Sequence, residues 1–316
     1  MELGKYSMGV GDRFGYECAA QLRALEKAAA EGVRITPVWN KSHREHGIAQ
    51  TAPEDARRAA DEAVRARGWT EAYHVDADHI GPATVDAFIP SHDFFTIDLA
   101  DSIGRPVEER RAALFFKAAA SYKGSLRIPG MGSPLEITDS VLADFARKYL
   151  GAVCEAGAVY RHIAEKKGAD AFITEISADE AQDPQAPAEL FLLLAALAME
   201  GIPVQTIAPR FSGAFLKGID YLGDPGRFAR EFEDDLAVVA FAAREFHLPR
   251  NLKLSIHTGS DKFCLYPIMH RAIRRAGAGI HLKTAGTTWL EELAGMAACG
   301  GEGLELAKEI YQKSCR

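Results

Sequence analysis

The feature that most restricts how this chain can fold is a pattern repeated along its whole length. A short β-branched or aromatic run gives way to a polar or glycine-bearing turn and then to an alanine-rich stretch with apolar residues at helical spacing. Strand-like runs fall at Tyr6–Val10, Val33–Val38, Ala72–Val75, Phe94–Ile97, Ala171–Ile176, Pro203–Ala208, Leu252–Ile256 and Gly279–Leu282, eight in all. Helical segments lie between and after them at Tyr16–Ala30, Pro53–Ala66, Val107–Ala119, Asp139–Glu165, Ala188–Met199, Pro225–Glu245, Lys262–Ala276 and Thr287–Ala298. Gly32, Gly168 and Gly201 stand just past helix ends, where a left-handed residue is wanted. Eight β/α units with no linker favour a closed parallel barrel over an open doubly wound sheet in two halves. The expectation is an α/β chain forming one (β/α)8 TIM-barrel domain over residues 1–316, with an insertion near residues 120–137. Its Gly/Pro-rich Ser125–Pro134 loop is expected over the barrel mouth.

Composition narrows the partners. The 37 Lys+Arg against 44 Asp+Glu give a net charge of −7 without a basic stripe, which argues against nucleic acid. No apolar run approaches the roughly 18 residues that span a bilayer, and Leu190–Met199 is short enough to be a buried helix. Cys18, Cys154, Cys264, Cys299 and Cys315 are odd in number and widely spaced, and the chain start lacks a signal-peptide pattern, so a reducing cytoplasm is expected.

In such a barrel the chemistry sits at the C-terminal ends of the strands. The runs here end in Gly11-Asp12-Arg13, Asn40-Lys41-Ser42-His43, Asp76-Ala77-Asp78-His79, Asp98, Thr174-Glu175, Pro209-Arg210, His257-Thr258 and Lys283-Thr284. Asp78-His79 is the sharpest local signal, because one imidazole can hold a metal while the adjoining carboxylate reaches substrate. His257 and His281, at two other strand ends, could converge with His79, and Asp220 could complete a set of two imidazoles and one carboxylate with open positions. The favoured set is His79, His257 and Asp220, with His281 competing for the third place. Glu175 is either half of an ion pair or a proton-transfer group. Arg13, Lys41, Arg210, Lys217, Lys262 and Lys283 are expected around the same mouth, a set suited to an anionic, polyhydroxylated substrate. The His43-Arg44-Glu45-His46 cluster is expected to touch substrate or to brace the residues that hold the metal, rather than to bind metal itself. His74, His92, His162, His247 and His270 are expected to be structural.

The strings Lys5-Tyr6-Ser7-Met8-Gly9-Val10-Gly11-Asp12-Arg13-Phe14-Gly15, Pro37-Val38-Trp39-Asn40-Lys41-Ser42, Val75-Asp76-Ala77-Asp78-His79-Ile80, Phe94-Phe95-Thr96-Ile97-Asp98 and Lys217-Gly218-Ile219-Asp220-Tyr221 resemble the tagaturonate/fructuronate epimerase family of hexuronate catabolism over most of the chain. The resemblance implies a cytoplasmic isomerase that depends on a divalent cation, with Zn, Mn, Ni and Fe as candidates, and interconverts D-tagaturonate and D-fructuronate. It implies Asp78 as proton acceptor, Glu175 as proton donor and His79 as metal ligand, with His257 and Asp220 for the remaining metal positions. Asp12, Arg13, Lys217 and Lys283 are the expected substrate contacts. The inverted carbon lies β to the ketone, so its C–H is not acidified, and retro-aldol cleavage and recombination is the expected route. The expected partner is a small-molecule sugar acid, with further copies of the chain as the sole macromolecular candidate. A class II aldolase or another metal-dependent ketose epimerase is the rival among enzymes, and a non-catalytic sugar-acid-binding protein the rival outside them.

Overall fold

A computed structural model describes residues 1–315. Ten strands occur among them: β1 (Tyr6–Gly11), β2 (Thr36–Ser42), β3 (His74–Ile80), β4 (Phe94–Asp98), β5 (Gly124–Leu126), β6 (Leu135–Ile137), β7 (Ile173–Ser177), β8 (Thr206–Ala208), β9 (Lys253–Gly259) and β10 (Ile280–Thr284). Eight of these close into a parallel barrel in the order β1-β10-β9-β8-β7-β4-β3-β2, and helices fill the connections. The expected (β/α)8 barrel is therefore the fold.

Alternation along the strands sorts the side chains into two environments. Leu3, Val38, Phe94 and Ile173 form a small apolar cluster inside the barrel. Polar residues line the interior above it, among them Asp76, Asp78, Thr96, Glu175, His281 and Lys283. The intervening residues pack against the helices, as Val10, Trp39 and Val75 do with Cys18, Leu22, Ala60 and Ala63. The helix Pro187–Met199 is buried along most of its length, as its composition predicts. No helix among the described residues is long and apolar enough to cross a membrane.

Several expectations shift. The strands expected at Val33–Val38 and Ala72–Val75 are displaced toward the C-terminus, to Thr36–Ser42 and His74–Ile80. Asn40, Ser42, Asp76 and Asp78 lie within strands because the barrel interior near the mouth is polar, and an apolar-run criterion stops short of them. The segment near residues 120–137 does not cover the mouth. It forms the antiparallel β5–β6 hairpin, whose Ile128, Leu135 and Ile137 are buried in the main core and whose Gly130 abuts Ala237 on the outer helix Pro225–Glu245. Apolar side chains at the hairpin's base draw it onto the helical flank. The helix expected at Asp139–Glu165 is present, with a π turn at Ala146–Leu150 joining Asp139–Phe145 to Gly151–Lys167.

Candidate metal centre and acid–base site

The mouth is an open cavity of about 620 Å³ lined by residues from all sides of the barrel, including Arg13, Asn40, Asp78, His79, Asp179, His257 and Lys283. At its floor the Lys283 ammonium, buried inside the barrel, lies 2.7 Å from Asp76 Oδ2, 2.7 Å from Asp78 Oδ1, 3.2 Å from Glu175 Oε1 and 2.6 Å from Thr96 Oγ1. Strand parity assembles this group: Asp76 and Asp78 are two residues apart on β3, and Thr96 stands in register with Glu175 on the neighbouring strand. Gly9 makes room for it, since a Cβ there would come within 2.9 Å of Lys283 Cγ and 3.1 Å of Asn40 Nδ2.

His79 breaks the parity. In a regular strand it would point away from Asp78 toward the helices. Its backbone is left-handed (φ 51°), and the β3–β4 register shifts between Ala77 and Ile80. A bulge of this kind re-aims a side chain, and a non-glycine residue in this region is held there by its surroundings. The turned imidazole places Nδ1 3.1 Å from Asp98 Oδ2 and sets its ring edge-on to that of His257, with centroids 5.4 Å apart. His257 in turn reaches Glu175 Oε1 (2.9 Å) through Nε2 and Asp179 Oδ2 (3.1 Å) through Nδ1.

Electrostatics follow from this crowding. For Asp78, burial alone would raise the pKa, but the charges of Lys283 and His79 outweigh it and hold the group at about 2. Glu175 is likewise held well below the usual carboxylate range, against burial, by Lys283 and His257. Asp76 goes the other way, to about 7, because burial and the neighbouring Asp78 and Glu175 outweigh Lys283. His79 rises to about 10 and His257 to about 9, burial being overcome chiefly by Asp78 and Asp98 for the first and by Asp179 for the second.

Donor atoms of His79, Asp179 and His257 all lie within 4.8 Å of one another, and a second group, His79, Asp98 and Glu180, meets the same criterion. Two imidazoles and a carboxylate with an open side suit a divalent cation. The surroundings fit one too: Asp76, Asp78 and Glu175 gather around the buried Lys283, Asp98 and Asp179 contact the two imidazoles, and Glu175 Oε2 is buried without a hydrogen-bond partner. The same negative field that draws protons onto both imidazoles would favour a cation in their place.

Of the residues singled out from sequence, Asp78, His79, Glu175, His257 and Lys283 come together here. Asp220 stands apart. It is exposed, and its carboxylate accepts from its neighbour Tyr221 N (2.7 Å) and from Cys264 N (3.2 Å), so it braces two loops instead of joining the imidazoles. His281 lies deeper in the barrel, with Nδ1 2.8 Å from Ser7 Oγ and its ring against Phe94, and burial lowers its pKa to about 3. Asp12 caps the helix Cys18–Ala30, accepting from Gly15 N (2.7 Å), Glu17 N (2.7 Å) and Cys18 N (2.9 Å), so both carboxylate oxygens are occupied by backbone. Arg13 lines the cavity, ion-paired with Glu45, and Lys217 and Arg210 line the cavity as well. Lys41 does not line it. It falls on the outer face of β2, and its Nζ donates to Arg13 O (2.8 Å) and Thr51 Oγ1 (3.0 Å). Lys262 is also absent from the mouth. In the 43–46 cluster, His43, Arg44 and Glu45 face the cavity, while His46 is buried with Nδ1 on Thr51 Oγ1 (2.9 Å).

Sequence reasoning set Asp76 and Asp98 at strand ends without giving either a role, and it passed over Asp179. Asp76 carried a usable signal, since its two-residue spacing from Asp78 predicts a shared face. Asp179 had only its position just past the fifth barrel strand.

Comparison with known proteins adds a family. A family model described as tagaturonate epimerase matches residues 1–316. A Thermotoga maritima protein named tagaturonate/fructuronate epimerase is 30% identical over 318 residues, covering 97% of this chain. The chain spans 62% of that relative's length. The glycerol-complexed crystal structure of the Cohnella laeviribosi fructuronate-tagaturonate epimerase is 26% identical and has a TM-score of 0.80, covering 100% of this chain and 63% of that one. Its native crystal structure gives 0.78 at the same identity, covering 100% and 63%.

Proposed function

The chain belongs to the tagaturonate epimerase family, and from that premise we propose that it interconverts D-tagaturonate and D-fructuronate by retro-aldol cleavage and recombination. The observation that carries this reading is the pairing of a candidate cation site, His79, His257 and Asp179, with an ionised Asp78 beside it on the Lys283 network. A divalent cation bound by those three residues would polarise the substrate's ketone and adjacent hydroxyl oxygens.

Asp78 accepts the hydroxyl proton at the inverting carbon. The bond from that carbon to the carbon next to the ketone then breaks, leaving an aldehyde on one fragment and an enediolate on the other. The electron pair of the broken bond moves onto the ketone oxygen. The substrate carboxylate travels with the aldehyde fragment, so a cation in the cavity wall must hold it while the carbonyl turns over; Arg13, Arg210 and Lys217 line the cavity. Recombination on the other face gives an alkoxide. Glu175, ionised at rest, takes up the proton through the Lys283 ammonium that it shares with Asp78 and returns it to that alkoxide.

The test is incubation of divalent-metal-loaded protein with D-fructuronate and, separately, with D-fructose, followed by chromatography for the epimer. D-Tagaturonate should form from the uronate, with the uncharged ketose turned over far more slowly. Folded protein that yields no epimer with any divalent ion would overturn the reading.

A further inference from the structure

Lys262 belongs to the set of cations expected at the mouth, yet its side chain is fully buried below the surface. Its Nζ donates to the backbone carbonyls of Leu216 (2.9 Å), Ile219 (3.0 Å), Ser260 (2.9 Å) and Asp261 (3.4 Å) and to Ser260 Oγ (3.0 Å). None of these five partners is a carboxylate. An ammonium withdrawn from water is costly unless its surroundings replace the lost hydration, and a ring of carbonyl oxygens does so for a monovalent cation.

The ring spans two loops. Leu216 and Ile219 lie in the connection after β8, whereas Ser260 and Asp261 follow β9. The same two segments meet through Gly218 N on Ser260 Oγ (3.0 Å) and Cys264 N on Asp220 Oδ2 (3.2 Å). Phe215 and Lys217, on either side of Leu216, line the cavity.

We infer that the carbonyl ring is a monovalent-cation site which the chain fills with its own Lys262 ammonium, and that this tethered cation holds the 212–222 segment so that Phe215 and Lys217 face the substrate. Lys262 is a positioning residue in this account. Its link to substrate rests on the proposed epimerase reading, but its link to the loop does not.

Lys262→Ala opens the ring to a free ion. Trypsin cleavage after Lys217, followed by mass spectrometry, should be faster than in the unmodified protein. Potassium or ammonium chloride should restore protection, and tetramethylammonium chloride, too large for the ring, should not. In the epimerase assay the KM for D-fructuronate should rise about tenfold, with kcat within about threefold, and the same two salts should reverse the change. Cleavage at the unmodified rate, or equal protection by tetramethylammonium, would overturn the inference, as would a fall in kcat at unchanged KM. If the unmodified protein does not epimerise, the functional reading fails while the proteolysis arm still decides the role of Lys262. Should Lys262→Ala not fold, Lys262→Met keeps the aliphatic stem without the charge; faster cleavage supports the tether and an unchanged rate removes it.

Discussion

His79 shows how a single backbone conformation decides what a residue can do. Its left-handed φ and the adjoining register shift bring it beside Asp78, whose side chain points into the barrel by ordinary strand parity. On the proposed reading the two neighbours divide their work, one toward a cation and one toward substrate. Asp78→Asn should lower kcat by about 10²–10⁴-fold while metal content, read by atomic emission, stays at the unmodified level. His79→Ala should lose both, and equal metal loss in the two variants would contradict the division. A second residue-scale prediction concerns acid stability. His92 is buried, with Nδ1 2.9 Å from Ser91 Oγ, and burial, aided by the charge of Arg57, lowers its pKa from 6.5 to about 3. Between those values the unfolded chain binds a proton that the folded chain does not. This contribution to stability is whole above about pH 6.5 and falls by about 1.4 kcal/mol per unit as the pH drops. His92→Phe should remove that slope, as urea midpoints at pH 6 and pH 5 would record; an unchanged slope would exclude it.

At the scale of the element, β1 and β10 are matched by what β1 lacks. Gly9 and Lys283 are in register, and the missing Cβ lets the lysine stem cross the barrel to the carboxylates of β3 and β7. Gly9→Ala should cost about 1–3 kcal/mol through overpacking and should reduce turnover by displacing Lys283. Thermal unfolding and kinetics on one preparation would check both, and full activity would show that the stem has another path. The β5–β6 hairpin illustrates the limit of reading loops from composition. Its Gly and Pro residues correctly announce a turn, but its docking on the outer helices depends on Ile128, Leu135 and Ile137 finding a core that the local sequence does not display.

For the whole molecule, the open mouth is the property with chemical consequences. A retro-aldol route in a cavity of about 620 Å³ leaves two fragments that can occasionally escape. Trapping with a carbonyl reagent should capture a three-carbon aldehyde during turnover, and the inverted carbon should acquire no solvent deuterium. Deuterium at that carbon with no trapped fragment would point to deprotonation instead. Removal of divalent ions by a chelator should abolish turnover, and their return should restore it. By itself the sequence determined the alternation of strands and helices, and hence the closed barrel, because hydrophobic periodicity is a local property of the chain. It also placed Asp78, Glu175, His257 and Lys283 at strand ends. Only the tertiary structure decided that Asp179 joins His79 and His257 while Asp220 braces a loop, and that Lys262 sits in a ring of carbonyls. Those choices depend on backbone turns and on contacts between segments far apart in sequence, which no local pattern records.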